Sequence, residues 1–202
     1  MSRVCILDYG SGNVKSVFNL FDSIASRVVV SNDSVEIASA SHIVLPGVGA
    51  FGSTMRKIRD TLPMEMLERT VLIERKPFLG ICVGMQVLAS HGMEFGEHAG
   101  LGWIAGSVER LETNGLTLPH IGWNDIVCKR TSPLLAGLEN GADFYFVHSF
   151  SFRAETPPEV LATTQYGKEF CSVVQRGNLY GVQFHPEKSQ RAGIKLAKNF
   201  IS

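Results

Sequence analysis

A doubly wound α/β fold, with a mostly parallel twisted sheet, helices on both faces and an antiparallel, hairpin-rich second half, is predicted by two observations. Short apolar runs rich in β-branched residues alternate with segments of helical apolar spacing through the first half of the chain. Strands alternating with helices imply right-handed βαβ units and a parallel sheet covered on both sides. From Trp103 onward the helical spacing gives way to short strand-like runs separated by turn residues.

The run from Arg3 to Leu7, the Gly10-Ser11-Gly12 turn, and Val14, Val17, Phe18, Phe21, Ile24 and Ala25 at helical spacing predict strand, loop and amphipathic helix. Val28 to Val30 reads as a strand, a short helix follows Ser34, and His42 to Leu45 is the next strand. Helical segments lie between Ser53 and Glu74, Phe78 to Ile81 supplies another strand, and Met85 to Ala89 opens another helix. In the second half, strands are predicted over Ile121 to Val127, Phe144 to Val147, Val160 to Thr164, Cys171 to Gln175 and Leu179 to Phe184. Asn114-Gly115 and Arg176-Gly177-Asn178 suit tight turns with positive φ. Ser189 is the expected N-cap of a last helix that runs to Phe200. No composition break, repeat or low-complexity tract divides the chain, so one domain over residues 1–202 is expected.

A chain of 202 residues can bury about 70% of the surface its unfolded form exposes. Its 19 basic and 19 acidic residues balance, which leaves no broad electrostatic footprint for a nucleic acid or an acidic membrane. The apolar run before Asp8 is too short for a signal-peptide core or a membrane span, which predicts a cytoplasmic protein. Cys5, Cys82, Cys128 and Cys171 lie far apart without CxxC spacing, so neither a zinc site nor a redox pair is indicated. In a reducing cytosol each is by default a small buried apolar residue.

One of them has a different context. Gly80-Ile81-Cys82-Val83-Gly84 places a cysteine between glycines where an apolar strand meets a helix. A nucleophile on such a sharp, strained turn needs flanking glycines so that neighbouring backbone can approach without Cβ clashes. The helix N-terminus there favours thiolate, and the Val83 amide can face a developing oxyanion. Taken alone, the segment could also be a structural cysteine between packing glycines.

Gln183-Phe184-His185-Pro186-Glu187 follows an apolar strand and sets two titratable side chains at its end, with rigid Pro186 between them. Cysteine-based acyl transfer needs an imidazole to take the thiol proton and return it to the leaving amine, and a carboxylate to hold the imidazole's tautomer. His185 and Glu187 fit those roles. Without the cysteine turn the pair would read as a solvated surface link.

Leu45 to Gly52 is a glycine-rich loop directly after a strand and can offer free backbone amides from Val48 and Gly49. It lacks the Lys-Ser/Thr ending of a phosphate-binding loop, so an oxyanion role suits it better. A dinucleotide fingerprint beginning at Gly10 would need glycine at position 15, where Lys15 stands.

Six segments together carry a resemblance: Asp8 to Asn13, Pro46 to Gly49, Gly80 to Gln86, Pro119 to Asn124, Tyr145 to Ser149 and His185 to Ser189. Over essentially its whole length the chain resembles class I, triad-type glutamine amidotransferases. The first, fourth and last segments narrow the likeness to the glutaminase subunits of imidazole glycerol phosphate synthase. The resemblance implies that Cys82 attacks glutamine, His185 shuttles the proton and Glu187 orients it, with no metal or organic cofactor. It further implies Gly47, Gln86, Glu94, His148, Ser149 and Phe150 around the substrate. Glu94 could equally be a solvated loop carboxylate, and His148 a satisfied core histidine.

The same resemblance implies a heterodimer with a (β/α)8-barrel cyclase, which receives the ammonia, and places Asn13, Ser16, Trp123, Asn124 and Lys188 at that interface. Composition alone would make Trp123 a core aromatic. It also suggests that the Pro46 to Gly49 strand holds a backbone amide turned away until the cyclase binds its nucleotide. Three other readings stay open: a paralogue with the same chemistry that feeds another amidating enzyme, a hydrolase of similar fold such as a γ-glutamyl hydrolase or cysteine peptidase, and an inactive scaffold.

Overall fold

The computed structural model describes residues 2–138 and 140–202. Along the first half, β1 (Arg3–Leu7), α1 (Val14–Asp22), β2 (Arg27–Ser31), α2 (Ser34–Ser39), β3 (His42–Gly47), α3 (Phe51–Thr61), α4 (Met64–Glu68), β4 (Phe78–Cys82) and α5 (Val83–Gln86) alternate as expected. The strands pair in parallel in the order β2-β1-β3-β4. β4 is buried at every position, which is why it reads as an uninterrupted apolar run. In α1 Val17 and Phe21 of the expected stripe are buried and Val14 and Phe18 pack partly buried against the core, while the helix also buries Leu20, which the stripe did not include. α4 continues into a π-helical turn over Arg69–Ile73.

The second half contains β5 (His91–Gly92), β6 (His98–Ala99), β7 (Gly106–Arg110), β8 (His120–Cys128), β9 (Ala142–His148), β10 (Phe150–Ala154), β11 (Val160–Tyr166), β12 (Lys168–Arg176), β13 (Leu179–Val182) and α6 (Gln190–Phe200). β13 joins β4 in parallel, so the strand that ends at Cys82 lies between two parallel neighbours. The sheet then continues antiparallel through β12, β10 and β7. β11 pairs with both β12 and β8, and β8 pairs with β9, so a curved ribbon branches from the main sheet.

Two local expectations need correction. The helix expected from Met85 to Ala89 is a single turn that stops at Gln86, because the next carbonyls are claimed by another segment. Val87, Leu88 and Ala89 accept from the amides of Leu101, Ile104 and Gly102 at 2.8, 3.0 and 2.9 Å. Asn114-Gly115 forms the expected turn with positive φ, in the connection from β7 to β8. Ser189 precedes α6 without capping it. Its hydroxyl instead donates to the His185 carbonyl at 2.6 Å and accepts from the Tyr145 amide at 3.0 Å.

A continuous apolar core runs through Phe21, Phe51, Phe78, Phe144, Phe146, Phe152 and Phe184. Phe184 stacks on Phe144 with ring centroids 3.9 Å apart, and burying such a ring contributes about 1.5–3 kcal/mol. That packing fixes the chain one residue before His185. No helix among the described residues is long and apolar enough to cross a membrane.

Candidate active site

β3 and β4 end side by side, with Gly47 opposite Cys82. Cys82 itself lies at φ +55°, ψ −112°, a conformation that costs a non-glycine residue about 1–3 kcal/mol. The surrounding glycines permit it by close approach. A Cβ on Gly84 would lie 2.0 Å from the Leu45 carbonyl oxygen, one on Gly80 2.3 Å from that of Gly84, and one on Gly47 2.3 Å from the Gly84 amide nitrogen. The sequence G-x-C-x-G is thus the local record of three backbones packed too tightly for side chains. Because α5 has only four residues, its dipole is a smaller aid to a thiolate than the sequence suggested.

His185 follows β13 and is pinned twice to β9: its amide donates to the Tyr145 carbonyl at 2.9 Å, and Ser189 bridges its carbonyl to the Tyr145 amide. Its Nδ1 bonds Glu187 Oε1 at 2.7 Å, with both side chains almost fully buried. The same carboxylate oxygen accepts from Asn13 Nδ2 at 3.3 Å. Among the described residues Nε2 has no hydrogen-bond partner. Burial is the largest influence and disfavours the imidazolium, but the interactions with Cys82 and Glu187 together outweigh it and raise the imidazole to about 10. The other deeply buried thiols are of another kind: burial pushes Cys5 and Cys171 up to about 12, which leaves both inert at neutral pH.

Cys82 and His185 line one cleft of about 260 Å³ together with Val48, Gly49, Val83, Gln86, Glu94, His148, Ser149 and Phe150. That volume suits a ligand of amino-acid size, just below the ~300–1,000 Å³ of ordinary small-molecule sites. Gly47 alone of the expected substrate residues does not line it, and instead spaces β3 from the cysteine turn. Glu94 is not a free loop carboxylate, since its Oε2 accepts the amide of Phe51, the first residue of α3, at 2.8 Å.

Gln86 is buried, and its amide can be oriented from its partners. Nε2 donates to the Phe150 carbonyl at 2.9 Å and to Gln183 Oε1 at 3.0 Å. Both amide hydrogens are engaged, so the carbonyl oxygen is the group left for a ligand. Gln183 in turn points Nε2 at Cys82 Sγ, 3.7 Å away. Gln183 carries no expected role from its sequence context, although a lone amide within the apolar run Leu179 to Phe184 is a signal of one. His148 is buried, and burial lowers it to about 3, so it is an uncharged member of the cleft wall.

Of the residues expected at a partner surface, Trp123 is 48% exposed, which removes it from the core. It packs edge-to-face on Tyr145, whose ring lies under the Lys188 ammonium at 5.5 Å. Ser16 is half-buried on α1 beside Glu187. Asn13 and Asn124 are different: Asn13 is engaged with Glu187, and Asn124 donates inward to His120 Nε2 and the Gln165 carbonyl.

Comparison with known proteins agrees with this geometry. The family described as class-I glutamine amidotransferase matches residues 5–202. The imidazole glycerol phosphate synthase subunit HisH of Rhodospirillum rubrum is 44% identical over 209 residues, covering 98% of each chain. The subunit of the same name from Bdellovibrio bacteriovorus is 45% identical over 199 residues, covering 96% of this chain and 97% of its own. Among solved structures, PurLQS from Thermotoga maritima aligns with a TM-score of 0.75 at 17% identity, over 98% of this chain and 97% of that one. A glutamine amidotransferase from the same organism aligns with a TM-score of 0.63 at 19% identity, over 95% of this chain and 78% of that one.

Proposed function

The chain belongs to the class-I glutamine amidotransferase family, and on that footing we propose that it is the glutaminase subunit of an imidazole glycerol phosphate synthase, acting in the cytoplasm in histidine biosynthesis. The observation that carries the chemistry is the joint lining of one cleft by strained Cys82 and by a His185 that is bonded to Glu187 at 2.7 Å.

In this reading His185 takes the Cys82 proton, and the sulfur adds to the glutamine carboxamide carbon. The C–N bond then breaks as His185 returns the proton to the departing nitrogen, releasing ammonia and leaving a glutamyl thioester. His185 next deprotonates a water, which hydrolyses the thioester to glutamate and restores the thiol. Glu187 holds Nδ1 protonated so that Nε2 is the working nitrogen. Val83, Val48 and Gly49 supply backbone amides near the oxyanion, and Gln86 and Glu94 present acceptor oxygens to the substrate's α-ammonium.

The ammonia passes to a (β/α)8-barrel cyclase seated over Trp123, Tyr145 and Lys188, since ammonia released to water would be protonated and lost as a nucleophile. The strand-end Pro46 to Gly49 is tied to the Asp8 to Asn13 loop, with the Tyr9 hydroxyl donating to the Pro46 carbonyl at 2.8 Å and that of Ser11 to the Val48 carbonyl at 3.5 Å. This gives a bound cyclase a route to reorient the Val48 amide.

Mixing the chain with the barrel cyclase of its own genome, glutamine and the ribonucleotide intermediate should yield glutamate and imidazole glycerol phosphate in step. Cys82→Ala should abolish glutamine hydrolysis yet leave the complex able to use added ammonium. Glutamate without imidazole glycerol phosphate would overturn the partner assignment, and hydrolysis by the variant would overturn the nucleophile.

A further inference from the structure

His120 lies outside the cleft lining and is 2% exposed, at the start of β8 directly opposite His148 on β9. His120 Nδ1 and His148 Nε2 are 3.0 Å apart, and His148 Nδ1 is 2.8 Å from the Phe150 carbonyl. On the other side His120 Nε2 meets Asn124 Nδ2 at 3.2 Å, and Asn124 Nδ2 also donates to the Gln165 carbonyl at 3.0 Å.

These partners settle every proton. The Phe150 carbonyl can only accept, so His148 carries its hydrogen on Nδ1; its Nε2 then accepts, so His120 is also protonated on Nδ1, and its Nε2 accepts from Asn124. The result is one directed chain of hydrogen bonds from Asn124 to the Phe150 carbonyl. That carbonyl also receives Gln86 Nε2, and Gln86 holds Gln183, which points at Cys82. Residues four apart on an extended strand stand about 13 Å from each other, so His120 and Asn124 can bond only because β8 bends. Gly122, between them, has φ +137°, and a Cβ there would meet nothing within 4 Å, so the need for glycine is conformational.

Accepting the glutaminase reading, on which this step rests, we infer that His120 and His148 are positioning residues of the glutamine pocket. They thread a hydrogen-bond relay from Asn124 to the Phe150 carbonyl and so fix Gln86 with its oxygen turned toward the substrate. Neither ring exchanges a proton during turnover. Their role is to hold a carbonyl whose lone pairs set the orientation of a substrate-facing amide.

A structural role and a relay role predict opposite rankings for two substitutions. His120→Phe keeps a ring stacked on Tyr166, now 4.1 Å away, and on Phe146 at 5.0 Å, but deletes the donor to His148. His120→Asn loses the stack, yet its amide nitrogen can replace Nδ1 as that donor. The test is steady-state glutamine hydrolysis by the full chain with its cyclase partner present, for the parent and both variants. The relay predicts a KM for glutamine raised about tenfold in His120→Phe with kcat within about threefold, and a KM within about threefold of the parent in His120→Asn. A partly misfolded variant would lose kcat in proportion to its inactive fraction and keep its KM, so misfolding cannot imitate this result. Unchanged KM in His120→Phe, or a larger KM in His120→Asn than in His120→Phe, overturns the inference while the glutaminase reading stands. A parent chain that does not hydrolyse glutamine overturns both.

Discussion

Acidification from pH 7 to pH 5 should destabilise this protein through its buried imidazole pair. Burial holds His120 at about 4 and His148 at about 3, against roughly 6.5 for an unfolded histidine. Below pH 6.5 the unfolded chain therefore binds protons that the folded chain refuses, and stability falls as pH falls. Each histidine loses ~1.36 kcal/mol per pH unit through that window, or about 2 kcal/mol by pH 5 and about 4 kcal/mol for the pair. The groups facing the pair are the rings of Tyr166, Phe146 and Phe170 and the Asn124 amide; the His185 charge lowers His148 further, and no carboxylate bonds either imidazole among the described residues. His185 acts with the opposite sign. Raised to about 10, it contributes stability that is complete below pH 6.5 and is lost as pH rises through 10, so it offsets less than ~1 kcal/mol between pH 7 and 5. The assay is urea unfolding at pH 7, 6 and 5 for the parent and His120→Phe. Removal of one histidine should reduce the acid loss by about 2 kcal/mol, near 1 M in urea midpoint at a slope of ~2 kcal/mol/M. Parallel pH profiles for the two proteins would refute the reasoning.

Two further outcomes follow from the site. Glu187→Gln should leave the fold intact and lower glutamine turnover by roughly 10³-fold or more, because the neutral amide cannot stabilise the imidazolium that its Oε1 now supports; near-normal steady-state rates would remove Glu187 from the mechanism. Gly84→Ala would set a Cβ 2.0 Å from the Leu45 carbonyl and should cost about 1–3 kcal/mol in thermal or urea unfolding, together with most of the turnover, since Cys82 must move with the displaced turn. Wild-type stability and rate in that variant would show that the close packing of β3 on α5 is not required.

The parallel half of the fold is legible because its signals are local and repeated: β4 is apolar at every position, and Val14, Val17, Phe18 and Phe21 keep helical spacing along α1. The cysteine turn and the His185-Glu187 pair are legible for a similar reason, since each is contained in five consecutive residues whose chemistry constrains their backbone. What escapes the sequence depends on contacts distant along the chain. Nothing near Ala89 announces that residues 101–104 will take the carbonyls a longer helix needs. Ser189 has the composition of a cap, but the Tyr145 amide, 44 residues away, recruits it. Glu94 is ambiguous until α3 presents the Phe51 amide to it. Gln183, just after β13, and His120, the first residue of β8, are visible as polar residues beside apolar runs, but only the tertiary fold reveals which carbonyl or sulfur each one serves.

The ribbon of β8 and β9 joins the two tasks proposed for this chain because alternate residues of a strand face opposite ways. On one side Trp123 and Tyr145 form an exposed aromatic corner roofed by Lys188. On the other, Phe144 and Phe146 pack on Phe184, with ring centroids at 3.9 and 5.6 Å, and His120 and His148 hold the pocket wall. Tyr145 belongs to both sides: its ring lies at the corner, while its backbone amide and carbonyl pin Ser189 and His185. A partner seated on that corner thus bears directly on the residue that positions the His185 imidazole, without touching the cleft. It can raise turnover only to the extent that it binds the aligned arrangement more tightly than the misaligned one. A docking surface built on a separate loop would have no such lever, since its displacement could be absorbed before it reached His185.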